Sequence, residues 1–200
     1  MRIGIFGGTF DPPHAGHKKY ADELKAGLSL DKLIIIPTAA PPHKQRDTDT
    51  SSEDRINMLK ILFSRDSGVE VSDMEIVRGG KSYTFETATL LREQYPDDEL
   101  IFLLGSDMLF SFHSWKNPDV ILEKVRICAV TRSGGIDKDE LGNYINEHFP
   151  DKKDRFIVCD FEPIEISSTV IRNRIKNGES IEGLVDSQVL AYIKEKELYL

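Results

Sequence analysis

Arg2-Ile-Gly-Ile-Phe-Gly-Gly-Thr-Phe-Asp-Pro-Pro-His-Ala-Gly-His17 opens the chain. Arg2 to Phe6 reads as a short buried strand that ends at Gly7-Gly8, and Ala15 to Ala26 reads as the helix that follows. Glycines directly after a strand let an anion approach the backbone, and the next helix adds N–H groups and its positive end. His14 and His17 lie three apart, with His17 in the first helical turn, so both imidazoles face one bound polyphosphate if His14 is held at the lip. Ala15 and Gly16 leave space between them. A turn with two surface histidines is the plain alternative, and the pair's place after a strand-ending glycine loop favours the phosphate reading.

Outward from this junction, strands and helices alternate. Lys32 to Ile36 is a second apolar strand closed by Pro37, and residues 38–50 form a long loop carrying two prolines, His43, Lys44 and Arg46. A helix is expected from Ser52 to Phe63, its start capped by Ser51-Ser52-Glu53-Asp54. Val69 to Ile76 reads as extended and Thr84 to Gln94 as a helix stopped by Pro96. Leu100–Leu104, Val125–Thr131 and Phe156–Cys159 read as strands, and Ser168–Lys176 and Gln188–Glu197 as helices. The strands are continuous apolar runs, which suits a parallel sheet covered on both faces. The expectation is a doubly wound, Rossmann-like α/β fold with a small C-terminal helical part: one domain over 1–200, with an α/β core at 1–160 and a C-terminal part at 161–200. Ligands belong outside the carboxyl ends of its strands.

The bulk numbers narrow the class of partner. Of 200 residues 40 % are hydrophobic and 30 % charged, with 26 cations against 34 anions, a formal charge of −8. A duplex-binding surface needs a basic face, so nucleic acid is not an expected partner. An acidic protein that binds anions must gather its few cations in one cleft, which makes the positions of His, Lys and Arg informative. Cys128 and Cys159 sit in apolar runs without the spacing of a redox motif or a zinc site, and read as structural thiols. The opening residues lack the apolar region of a signal peptide, and no apolar run approaches the ~20 residues of a membrane span. A soluble cytoplasmic protein is expected, its state of self-association left open.

Near the other end stands Ile166-Ser-Ser-Thr-Val-Ile-Arg172. Ser167, Ser168 and Thr169 form a helix start rich in hydroxyl and N–H donors, and Arg172, four after Ser168, shares its face and can reach the same anion. Two better-known phosphate motifs fail: Gly-x-Gly-x-x-Gly is absent from the first junction, and Gly80-Lys81-Ser82 lacks the first glycine of a P-loop, with Glu75 in its place.

The first junction resembles the HxGH signature, and Ile166–Arg172 the ISSTxIR signature, of the nucleotidyltransferase superfamily related to class I aminoacyl-tRNA synthetases. Gly7-Gly-Thr-Phe-Asp-Pro12, Pro41-Pro-His-Lys44, Ser82-Tyr-Thr84, and Gly105-Ser-Asp107 followed by Trp115 most resemble the bacterial nicotinate-nucleotide adenylyltransferases, over nearly the whole chain. Where this chain has Glu86 and Ser133, members of that family often carry Asp and Pro. The resemblance implies transfer of AMP from ATP to nicotinate mononucleotide, with Mg²⁺ carried on ATP and without a metal site built from protein ligands. It implies His14, His17, Lys44 and Arg172 as catalytic residues. ATP would be held by Gly7, Gly8, Thr9, Phe10, His17, Gly105, Asp107, Ile166, Ser167, Ser168 and Arg172, and the acceptor by His43, Lys44, Tyr83, Thr84, Trp115 and Arg132. Bland readings stand beside these: a solvated loop for 41–44, a helix cap for Tyr83-Thr84, a core anchor for Trp115, an N-cap for Asp107. Related transferases acting on nicotinamide mononucleotide, phosphopantetheine or another phosphate acceptor, and a non-catalytic nucleotide sensor, are the alternatives.

Overall fold

In the computed structural model, which describes residues 1–40, 50–131, 138–160 and 166–200, the opening apolar run becomes strand β1 (Arg2–Gly8). The order continues α1 (Ala15–Gly27), β2 (Lys32–Pro37), α2 (Ser52–Leu62), β3 (Val69–Val71), α3 (Met74–Arg78), α4 (Thr84–Gln94) and β4 (Glu99–Gly105). Then come α5 (Ser106–Leu109), α6 (Pro118–Lys124), β5 (Arg126–Thr131), α7 (Lys138–His148), β6 (Phe156–Asp160), α8 (Ser168–Lys176) and α9 (Ser187–Glu195). The described residues form one sheet in the order β3-β2-β1-β4-β5-β6, every pair parallel. This is the doubly wound order, and its switch point lies between β1 and β4, whose carboxyl ends are Gly8 and Gly105.

Alternate strand residues feed two apolar layers. Leu33 and Ile35 face Leu24 of α1 and Met58 and Leu59 of α2, while Ile34 and Ile36 face Ala88 and Leu91 of α4 and Ile121 and Leu122 of α6. Burial on both faces explains why the strands read as unbroken apolar runs. The C-terminal helices are integral to the first layer: Ile171 of α8 and Val189 and Ile193 of α9 share the cluster of Leu24 and Met58. Tyr192 Oη donates to Asp54 Oδ1 at 2.8 Å, fastening α9 to α2.

Several elements differ from the sequence reading. The extended segment expected to run to Ile76 stops at Val71, because Ser72 N–H makes a last bond to Ile35 O (2.9 Å) and Asp73 then caps α3. Helices α6 and α7 were not anticipated. Pro118 at the first position of α6 and Leu141, Tyr144 and Ile145 on the buried side of α7 are the signals that mark them. Cys128 and Cys159 are free thiols with Sγ atoms 3.4 Å apart. They are two residues out of register, since Cys128 pairs with Ile157 and Cys159 with Val130. No described helix is long and apolar enough to cross a membrane.

Candidate active site

At the carboxyl end of β1 the backbone turns tightly because Gly8 has no side chain: a Cβ there would stand 2.9 Å from Phe10 Cζ. Phe10 itself adopts φ 51° and is buried, its ring edge-on to Phe6 at 5.2 Å and to His17 at 4.9 Å. His14 is the N-cap of α1, and its N–H donates to His17 Nδ1 at 3.2 Å. A neutral His17 therefore carries its proton on Nε2, leaving that nitrogen as the donor. The two rings stack at 3.7 Å with 28° between their planes. Burial lowers the His14 pKa to about 4, and burial followed by the proximity of His14 holds His17 well below the usual histidine value. Both imidazoles are neutral at pH 7, N–H donors without charge. The start of α1 is not wholly open, since Ala15 N–H already donates to Leu184 O at 2.9 Å.

The fold brings the second signature onto this same loop. Ser168 Oγ donates to Pro12 O (2.9 Å) and Arg172 Nη1 to Asp11 O (2.8 Å), across 156 and 161 positions of sequence. Arg172 Nη2 also donates to Thr169 Oγ1 at 3.3 Å, so part of its fork holds protein rather than facing an open cleft. Ser167 caps α8 by accepting from Val170 N–H at 3.2 Å, the plain role its residue type suggests, and Ile166 lies half-buried beside it. Thr9 O is held by Arg55 Nη1 at 2.8 Å, and Arg55 Nη2 reaches Thr38 O at 2.8 Å and Ser52 Oγ at 3.0 Å. Fully buried, Arg55 ties the loop after β1 to the chain after β2.

On the β4 side, Gly105 is the N-cap of α5 and Asp107 stands exposed in its first turn, so Asp107 is not the cap. Ser82 is buried, accepting from Ala39 N–H at 2.9 Å while its own N–H donates to Ala40 O. Gly80-Lys81-Ser82 thus packs against the end of β2 and forms no phosphate loop. Tyr83 is the N-cap of α4 without a side-chain capping bond, and its ring lies 4.2 Å below Lys116 Nζ. Trp115, half-buried, leans on Phe112 at 5.4 Å and donates from Nε1 to Ser111 Oγ at 3.2 Å, a rim position and not a core one. Glu86 pairs with Arg78 (3.4 Å), and Thr87 Oγ1 donates to buried Glu75 at 2.6 Å, anchoring the first turns of α4 to α3. His43, Lys44 and Arg132 lie outside the described residues.

Arg55, Arg78, Lys116 and Tyr199 are site-bracing residues that the sequence reading did not single out. Arg55 had a signal: it shares the buried side of α2 with Met58, Leu59 and Leu62, and a cation at such a position needs partners.

The profile of the Cytidylyltransferase-like family matches residues 5–174. The chain is 35 % identical over 198 residues to "Nicotinate-nucleotide adenylyltransferase" of Bacillus subtilis, covering 99 % of this chain and 98 % of that protein. It is 37 % identical over 198 residues to the Bacillus licheniformis protein named "Probable nicotinate-nucleotide adenylyltransferase", with the same 99 % and 98 % coverage. Among solved structures, the nicotinic acid mononucleotide adenylyltransferase of Plasmodium falciparum complexed with NaAD superposes with a TM-score of 0.80 at 19 % identity, over 99 % of this chain and 97 % of that one. That likeness is one of fold.

Proposed function

The chain belongs to the cytidylyltransferase-like family and, within it, to the group of nicotinate-nucleotide adenylyltransferases; from that premise we propose that it transfers AMP from ATP to nicotinate mononucleotide. The products are nicotinate adenine dinucleotide and pyrophosphate, in NAD biosynthesis. The observation that carries this reading is the meeting of the two signatures on one loop: Ser168 and Arg172 bond the carbonyls of Pro12 and Asp11, directly before the stacked histidines.

A phosphomonoester acceptor has its second pKa near 6, so at neutral pH its oxygen is already a competent nucleophile and no general base is needed. What the site must supply is in-line placement and donors aimed at the charge that builds on the α-phosphoryl group and the departing pyrophosphate. The acceptor oxygen attacks the α-phosphorus, the bond to the β-phosphate bridging oxygen breaks, and pyrophosphate leaves with that electron pair. His14 and His17 donate N–H groups to phosphate oxygens, and the remaining Arg172 donors face the β/γ end. Gly7, Gly8, Thr9, Phe10, Gly105, Asp107, Ile166, Ser167 and Ser168 enclose ATP. Tyr83, Thr84 and Trp115 receive the pyridine end, and His43, Lys44 and Arg132 the remainder of the acceptor. Mg²⁺ carried on the triphosphate would neutralise phosphoryl charge there.

The test is pyrophosphate release from ATP across nicotinate mononucleotide, nicotinamide mononucleotide, phosphopantetheine and a glycerol phosphate. Nicotinate mononucleotide is expected to give the highest kcat/KM, and His17→Ala to lower its turnover by about 10²–10³ with the fold intact. Faster turnover of another acceptor, or a folded His17→Ala protein keeping half its activity, overturns the assignment.

A further inference from the structure

Tyr199 stands 188 positions from Asp11, yet its phenol donates to Asp11 Oδ1 at 2.7 Å, and the bond is buried. The same hydroxyl shares a side-chain hydrogen bond with buried Thr50. Its ring belongs to the apolar cluster of Leu24 and Met58. The backbone pays attention to this placement: Tyr199 adopts φ 68°, a region that bulky L residues rarely enter unless surrounding contacts over-determine it.

The two partners are on different loops. Asp11 lies three residues before His14 in the turn after β1, and its carbonyl is the one gripped by Arg172. Thr50 comes directly after the segment that carries His43 and Lys44 and directly before Ser51, the N-cap of α2. Arg55 makes a second tie of the same kind, between Thr9 O and Thr38 O. Two buried polar side chains from distant parts of the chain thus fasten the histidine loop to the chain on either side of residues 41–49.

We infer that Tyr199 is a positioning residue, whose hydroxyl ties the histidine loop at Asp11 to Thr50 before α2 and so holds His14 and His17 in place for the in-line step at the α-phosphorus. It touches no reacting atom. Burial first, and then the Asp11 charge, push the phenol pKa up, so it remains a protonated donor at neutral pH. The inference rests on the proposed adenylyl transfer, in which the histidines must meet the phosphate oxygens at a fixed place. Misalignment of about an ångström between reacting groups costs on the order of 10–10² in rate while leaving each binding site usable.

Tyr199→Phe keeps the ring and its packing and removes only the tie. The expected result at 25 °C is kcat lower by tenfold or more, with the KM values of ATP and acceptor within threefold of wild type and Tm reduced. Asp11→Asn in the Tyr199→Phe background relieves the carboxylate that has lost a donor, so Tm recovers while kcat stays low. The inference is overturned if kcat of Tyr199→Phe stays within twofold, if both KM values rise in step with the fall in kcat, or if kcat recovers with Tm in the double variant. The ratio is measured with whichever phosphate acceptor the wild-type enzyme uses, so a wrong acceptor counts against the proposed function and leaves this test intact.

Discussion

Two imidazoles stacked at 3.7 Å and removed from water resist protonation, and that resistance couples the site to the stability of the whole protein. An unfolded histidine titrates near 6.5, whereas His14 in the fold titrates at about 4 and His17 also lies below the usual value. Between those limits the unfolded chain binds more protons than the folded one, so the folded state is favoured as pH rises. Above about pH 6.5 both states hold neutral rings and nothing is lost; as pH falls from there toward 4, stability drops. A thermal melt should show Tm lower by roughly 5–10 °C at pH 4.5 than at pH 7, and His14→Gln should flatten that slope; parallel slopes for the two proteins would contradict it. Gly8 makes a steric counterpart. Its alanine variant would drive a methyl into the Phe10 ring, which is expected to cost about 1–3 kcal/mol and to raise the ATP KM severalfold, because Phe10 packs on His17. At this scale the histidines were legible because the glycine-ended strand lies beside them in sequence. Arg55 and Tyr199 were not, because their partners are 46 and 188 positions away and only tertiary packing brings them together.

Under the proposed function, acceptor choice turns on helix α4. It begins at Thr84 beside the Tyr83 ring, where Glu86 N–H already donates to Tyr83 O at 3.1 Å and the dipole favours a negative ligand. Glu86 in that first turn would oppose a carboxylate and welcome an amide, but Arg78 Nε stands 3.4 Å from its Oε2 and occupies it. The acid acceptor should therefore be preferred over the amide by about 10³ in kcat/KM. Arg78→Met, which releases Glu86, should shrink that ratio at least tenfold in a competition assay. A ratio that does not move would remove Glu86 from acceptor selection. Elements with clear end signals were legible to the residue: α4 and α8 run over 84–94 and 168–176, as their caps and breakers imply. Helix α7 was missed because its polar residues outnumber its three buried apolar ones, Leu141, Tyr144 and Ile145. The surroundings of Tyr83 and Glu86 were harder to read, since Lys116 and Arg78 reach them from other elements.

The molecule as a whole carries two apolar layers on one sheet, and the C-terminal helices lock the first while Trp115 rests on the second. Layers that share every strand should melt together. Ile193→Ala, in the layer away from Trp115, is expected to lower stability by about 2–5 kcal/mol, and Trp115 fluorescence should report that loss in one transition coincident with far-UV circular dichroism. Two separated transitions would show that the layers unfold independently. The sheet order was legible only in kind: apolar runs imply parallel strands, but nothing local says that β4 lies beside β1. The register of that sheet also governs how the protein meets an oxidant. Neighbouring parallel strands lie about 4.8 Å apart and rise about 3.3 Å per residue, so an offset of two puts the Cys128 and Cys159 α-carbons roughly 8 Å apart. A sulfur–sulfur bond tolerates at most about 7 Å there, so β6 would have to slip along β5 before the touching thiols could join. Exposure to air should therefore form no bond between Cys128 and Cys159, so that both titrate as thiols once the protein is denatured.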